Sequence, residues 1–253
     1  GVRRLAGGLP GRVAPVDAFV IELNRRGASL SYPKTPGWVT IPDVAPFRHR
    51  ETNSFDGATI GAKVALVAEA DFAFGVRHEW YVRHPHIPTS MLLYLDAFER
   101  ELPFPNANDG NLARRGKTRF NAECAGCHGS YADEREGRAW VSYREKVAPR
   151  EIVGTDSVRL DAVTPEIVAV VNAQPATRGL LHTRRTGGYV PRPLVGVWSR
   201  APYGHNGQWP DLVALSTPPA ERPRRFVVEL DAHYDLQRVG LAWRALGAGE
   251  TPP

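Results

Sequence analysis

Apolar and polar positions along the 253-residue chain predict helices joined by long stretches punctuated with proline and glycine. Near the start, Val16-Asp-Ala-Phe-Val-Ile-Glu-Leu23 has one apolar face and predicts a helix that ends at Gly27. The rest of residues 1–60 carries Pro10, Pro15, Pro33, Pro36, Pro42 and Pro46 and predicts extended chain laid over a core. Strong helix formers over 61–74 predict a second helix. Thr89 or Ser90 caps a third, from Met91 to Leu102, which Pro103-Phe-Pro105 ends. Asn111 opens a fourth that runs to Cys124, with Leu112, Gly116 and Phe120 recurring on one face. Residues 129–137 read as a polar loop and 143–159 as irregular chain. Thr164-Pro165-Glu166 is a cap, a first-position proline and a first-turn acid, predicting a short helix over Ile167–Asn172. Short helical pieces at Leu194–Ser199 and Asp211–Leu215 flank a glycine-rich turn carrying His205. The fold class expected is mainly α, with long irregular Pro/Gly-rich segments.

Both cysteines of the chain lie in Cys124-Ala-Gly-Cys-His128, a C-x-x-C-H run. This is the attachment signature of a c-type haem: two thiols add to the haem vinyl groups, and the adjacent imidazole becomes the proximal iron ligand. A zinc site would need further Cys or His ligands at suitable spacing, and there is no second C-x-x-C. A redox C-x-x-C opens the helix after the first strand of a βαβ unit, which this neighbourhood does not resemble. One covalently attached haem c is therefore expected on Cys124, Cys127 and His128. His78, His84 and His86 stand around Trp80 and Tyr81 at irregular, proline-broken spacing, which points to solvated loop histidines rather than a metal cluster.

Composition changes this picture little. Hydrophobic residues make up 42% and charged residues 23%, as in ordinary globular chains. Apolar runs such as Val64–Ala68 and Ile167–Val171 are far too short to span a bilayer, so no transmembrane segment is expected. No charged-then-apolar leader opens the chain, consistent with a mature or trimmed form of an exported, periplasmic protein. The net charge is +5, from 32 Lys+Arg against 27 Asp+Glu. Only Lys34, Lys63, Lys117 and Lys146 are lysines, so arginine dominates, as suits pairing with haem propionates. The basic residues are scattered, with no compact basic run carrying interleaved aromatics, which argues against nucleic acid. A basic face for an acidic redox partner fits better.

The segment Leu194-Val-Gly-Val-Trp-Ser-Arg-Ala-Pro-Tyr-Gly-His-Asn-Gly-Gln-Trp-Pro-Asp-Leu212 resembles the APY-x-H-(N/D)-G…L signature of dihaem cytochrome c peroxidases, and most of all their rubber-oxygenase-like relatives. The Arg115-Gly116-Lys117 lead into Phe120 and Cys124 is similar too, as are Gly188-Tyr189 and the Arg222-Pro223…Tyr234-Asp235…Val239-Gly240 tail. Ile41-Pro42-Asp43 through Asp56-Gly57 looks like the family's linker between its two haem domains. The resemblance implies a cytochrome c-like helical haem domain over 88–253, with 1–87 as an irregular arm packed on it. It also places His205 near the haem. The family's N-terminal haem motif is missing, so the chain is expected to begin in the linker. The family's peroxidase or oxygenase activity resides largely on that missing haem and is not carried over.

The sixth ligand decides what such a haem does: saturated iron shuttles electrons, while an open position admits peroxide or dioxygen. No methionine follows Met91, leaving His182, His205 and His233 downstream. Met91 and His205 are the distal candidates. Against them stand core packing for Met91 and a hydrogen-bonded structural role for His205. Arg200 and Arg178 are candidates for propionate pairing, and Trp198, Trp209 and Tyr203 for the pocket wall. The expected function is electron transfer by a periplasmic monohaem cytochrome, with a redox protein or a second haem-bearing subunit as partner. A peroxidase- or oxygenase-type haem enzyme, and a structural haem subunit wrapping a partner chain, are the alternatives.

Overall fold

The computed structural model describes residues 12–41, 47–66, 78–97, 104–105, 109–135, 138–174, 179–228 and 233–250. The fold mixes helices with small sheets and is not mainly α. Among the described residues six two-stranded antiparallel ribbons accompany the helices. Most of these strands are two or three residues long. A strand that short cannot display an alternating pattern, so it is invisible to periodicity and exists only because tertiary contacts pair its backbone. The chain divides into two compact units.

Unit 1 comprises residues 1–101 and 110–195. Strand β1 (Arg12–Val13) pairs with β2 (Val39–Thr40) around helix α1 (Pro15–Arg25). Pro15 starts this helix, Asp17 lies in its first turn and Arg25 in its last, the arrangement that suits a helix dipole. Its Val16, Val20 and Leu23 are buried with Leu30, Ala162, Val163 and Ile167. Lys63–Leu66 is helical as expected; the continuation to 74 lies outside the described residues. Helices α2 (His78–Arg83) and α3 (His86–Ala97) follow. The latter starts ahead of the expected Thr89 or Ser90 cap, and its expected end at Leu102 lies outside the described residues. Leu92 and Leu95 of α3 pack against buried Phe47 and Leu66.

Helix α4 (Gly110–Glu123) leads into the single turn α5 (Ala125–His128). The expected polar loop after it is instead a hairpin of β4 (Ser130–Arg135) and β5 (Arg138–Ser142). The strand-forming Tyr131, Trp140 and Val141 favour it over a loop. The irregular stretch 143–159 holds β6 (Ala148–Pro149) and the short helices α6 (Arg150–Val153) and α7 (Val158–Ala162). Helix α8 (Pro165–Asn172) begins as its cap predicts, with the Thr164 hydroxyl accepting from the Ile167 N–H at 3.2 Å. Strand β7 (Leu181–Thr183) pairs with β3 (Thr59–Gly61), and β8 (Gly188–Tyr189) with β6.

Unit 2 comprises residues 102–109 and 196–253. A 3-10 turn covers Val197–Arg200, where a helical piece over Leu194–Ser199 was expected. Helix α9 (Leu212–Ser216) is capped by Asp211. Strands β9 (Phe226–Val227) and β12 (Arg244–Ala245) form one ribbon, and β10 (Tyr234–Asp235) and β11 (Gly240–Leu241) another.

In unit 1 the buried Arg159 guanidinium meets Asp56 at 3.2 Å, with both side chains nearly inaccessible. Asp56 also accepts from the Ala58 N–H, and its carbonyl accepts from Thr186. Removing one partner of a buried pair leaves the other charged and desolvated. Asp56→Ala is therefore expected to destabilise the protein by about 3–5 kcal/mol, measured by urea unfolding.

Candidate haem site

The C-x-x-C-H run carries its thiol pair and its imidazole on Cys124 and the single helical turn that follows it. The Cys124 N–H closes onto Phe120 at the end of α4, and the Cys127 and His128 N–H groups both donate to the Cys124 carbonyl. Both cysteines are free thiols, partly exposed. Gly129 ends the turn at φ +81, where a Cβ would lie 2.7 Å from the Ser142 carbonyl. Only glycine lets the hairpin fold back against the motif there.

His128 is held from the side by a strap, Pro191-Arg192-Pro193-Leu194. Prolines at 191 and 193 remove two N–H groups and keep the strap extended, so its carbonyls are open to accept. The Arg192 carbonyl takes His128 Nδ1 at 2.8 Å. A carbonyl can only accept, so Nδ1 carries the proton and Nε2 of the neutral ring keeps its lone pair. Two tyrosines position the strap. Tyr131 donates to the His128 carbonyl at 2.7 Å and accepts from the Leu194 N–H at 2.5 Å. Tyr143 donates to the Pro191 carbonyl at 2.6 Å. Burial, then the nearby Glu145 carboxylate, pushes the Tyr143 hydroxyl above the ordinary phenol range, so it remains a donor. The Arg192 guanidinium caps the Thr52, Asn53 and Ser54 carbonyls and lies over the Phe55 ring. Phe120 packs on Tyr131 at 5.8 Å.

This arrangement fits a covalently held haem. It supplies two thiols one turn apart and an imidazole whose outer nitrogen is already engaged, leaving the inner one to donate. Met91 is also in unit 1, on α3, but it is 39% exposed and does not pack in the core as its apolar character suggested. His84 lies in the break between α2 and α3, where it stacks on Trp80 at 4.5 Å and its Nδ1 bonds the Trp80 carbonyl, while His78 and His86 open those two helices. His182 is exposed on β7. Arg178 lies outside the described residues.

Trp198, Arg200, Tyr203 and His205 all belong to unit 2. Tyr203 and Trp209 exchange backbone hydrogen bonds, and the loop between them presents His205. Gly204 sits at φ +88, and a Cβ there would lie 2.7 Å from the Trp209 ring. His205 is buried at 8% exposure, while Trp198 and Arg200 are half-buried. Tyr203 and Tyr234 both donate to the Trp198 carbonyl. The Trp198 ring meets Tyr234 edge-on at 6.0 Å and Phe104 at 5.9 Å. Burial first, then its bond with Tyr234, raises the Tyr203 hydroxyl above the ordinary range. Arg222 lies over Trp209 at 5.2 Å.

Sequence reasoning missed the residues that hold these groups in place. Tyr131, Tyr143 and the carbonyl of Arg192 were not singled out, although a Pro-x-Pro strap is a legible sign of carbonyls left open to accept. Asp211 was seen only as the start of a helix. It is fully buried and accepts from the Ala214 N–H at 2.6 Å, Arg238 at 2.6 Å and Trp243 at 2.5 Å. Burial alone would raise its pKa, but those bonds outweigh it and hold the carboxyl below its ordinary value.

Two outcomes follow from this geometry. Tyr131→Phe keeps the ring but strands the Leu194 N–H and frees the strap, with an expected loss of about 1–3 kcal/mol in urea unfolding. Asp211 has a depressed folded pKa, so its contribution is present above the unfolded carboxyl's pKa and is lost as pH falls through the folded one. The stability gap between the wild type and Asp211→Asn, about 2 kcal/mol at neutral pH, should narrow as pH drops below the ordinary carboxylate range in acid-side thermal unfolding.

Comparison with known proteins places this geometry in context. Residues 188–227 match the family described as RoxA-like, cytochrome c-like. The chain is 30% identical over 272 aligned positions to uncharacterized protein y4iM of Sinorhizobium fredii, covering 91% of this chain and 57% of that protein. It is 38% identical over 61 positions to uncharacterized protein y4iJ of the same organism, covering 24% of this chain and 10% of that protein. The chain thus spans little more than half the length of the first of these relatives and a tenth of the second. Among the described residues no helix is long and apolar enough to cross a membrane. The match over residues 188–227 supports a haem-binding, RoxA-like cytochrome c-like character for this part of the chain.

Proposed function

We propose that this chain is an exported, periplasmic cytochrome that transfers electrons through one haem c. The haem is joined covalently to Cys124 and Cys127 and bound at iron by His128, and the chain acts within a larger redox assembly. The observation that carries this reading is the His128 Nδ1 bond to the Arg192 carbonyl, which fixes the ring's orientation, as outer-shell partners do. The haem supplies reversible one-electron chemistry when bound. The chain's residues supply the rest: the thiols hold the group in register, Tyr131 and Tyr143 keep the strap from shifting, and Arg192 anchors the strap to the 52–54 carbonyls. A rigid scaffold suits a carrier, because little has to rearrange when charge moves. A protein with no cysteine outside the motif also suits an oxidising compartment, where stray disulfides would compete with haem attachment.

Protein matured in cells that make c-type cytochromes is expected to gain the mass of one haem that survives denaturation. Cys124→Ala with Cys127→Ala is expected to abolish that gain. The ferrous protein is expected to bind carbon monoxide slowly or not at all. Rapid binding would replace the carrier reading with a peroxidase- or oxygenase-type enzyme. A far-red charge-transfer band in the ferric spectrum would mark a methionine ligand, and loss of the band in Met91→Ala would assign it. Its absence would rule methionine out.

A further inference from the structure

Helix α4 runs directly into the haem motif, yet it is solvated all round. None of its residues is buried, and every residue from Gly110 to Arg119 is exposed. It carries Arg114, Arg115, Lys117 and Arg119 against a single acid, Glu123, which Arg119 holds at 3.1 Å. At 3.6 residues per turn Arg115 and Arg119 share the face of Leu112 and Gly116, while Arg114 and Lys117 carry the charge round the rest of the helix. Leu112 is 60% exposed, and a Cβ at Gly116 would meet nothing within 4 Å. Lys146 extends the positive charge onto the motif itself, its Nζ donating to the Gly126 carbonyl. A cationic surface rich in arginine, with an apolar residue open beside it, matches the composition of protein interfaces, where arginine is enriched. Its charge is complementary to an acidic surface and would steer an acidic protein's approach.

We propose that α4, together with Lys146, is the docking surface for an acidic redox protein that exchanges electrons with the haem. This rests on the electron-carrier reading above. The position selects a redox protein over other anionic partners, because the last residue of α4 adjoins the first haem-attaching cysteine. A partner seated there is brought to the cofactor itself.

The test follows reduction of the ferric holoprotein by reduced flavodoxin, a small acidic protein, and by reduced lumiflavin, which is uncharged. In each case the flavin loses one electron and the ferric haem becomes ferrous. Three proteins are compared: wild type, Arg115→Glu with Lys117→Glu, and Arg184→Glu with Arg185→Glu, which makes the same charge change on an exposed loop after β7. The α4 variant is expected to lose flavodoxin rate on the order of tenfold, together with most of its salt dependence, at an unchanged lumiflavin rate. The loop variant is expected to stay near wild type. An unchanged flavodoxin rate in the α4 variant, or an equal fall in both variants, would overturn the inference. So would retention of wild type but not the α4 variant on phosphatidylserine vesicles at an unchanged flavodoxin rate, which would assign the helix to a membrane surface. Failure of both donors to reduce the wild type would instead sink the electron-carrier reading.

Discussion

The hydrogen bond between His128 Nδ1 and the Arg192 carbonyl joins two segments far apart in sequence, and the other polar contacts of the haem motif exist to keep it short. The strap that provides the carbonyl cannot join a ribbon as an ordinary strand, because two of its four residues are prolines. That disability is what leaves its carbonyls available. Tyr143 takes one, His128 takes the next, and Tyr131 ties the strap's end to the motif's own backbone. The strap that orients the histidine is thus itself held by Tyr131 on β4 and by Tyr143, the residue after β5.

The arginine excess has its explanation in the same economy. A chain with few long strands leaves many loop carbonyls without ladder partners, and each buried one must be satisfied. A guanidinium presents several donors in a rigid fork and can serve two or three carbonyls at once. Arg50 and Arg192 do this for residues 52–54, and Arg222 does it for Leu215 and Thr217. Arg159 and Arg238 instead meet buried carboxylates. Much of the positive charge therefore holds irregular backbone together, rather than waiting for the propionates for which arginine was first suggested.

This division explains what was legible in the residues and what was not. The helix around Val16–Leu23, the capped start at Thr164 and the helix entering Cys124 were all readable, because helical period and capping are local signals. The attachment motif was readable because its chemistry demands contiguous residues. The two- and three-residue ribbons were not, since pairing such as Ile60 with His182 depends on a partner remote in sequence. The hairpin after the motif was mistaken for a loop because its charged tip masked the aromatic and β-branched residues of β5. Tyr131 and Asp211 escaped notice for a different reason. Tyr131 serves backbone groups, and Asp211 serves the Ala214 N–H with two side chains 27 and 32 residues away, and neither leaves a mark in the local side-chain pattern.

Helix α4 is where a local rule fails in a way that carries information. Its Leu112, Gly116 and Phe120 stripe predicts burial, but Phe120 is the half-buried member, packed on Tyr131, and Leu112 is 60% exposed. A solvated helix of this length has little stability of its own in the absence of a packed face. It is anchored at its C-terminal end, where the Cys124 N–H bonds Phe120 and the motif turns into α5. Sequence patterns that predict packing the fold does not supply tend to mark functional surfaces. The cations on and around that stripe, Arg115 and Arg119 beside Leu112 and Gly116, are what the proposed docking surface is built from. Helix α4 runs straight into Cys124, whose carbonyl accepts from the Cys127 and His128 N–H groups, so the exposed helix and the C-x-x-C-H turn are one continuous piece of hydrogen-bonded backbone.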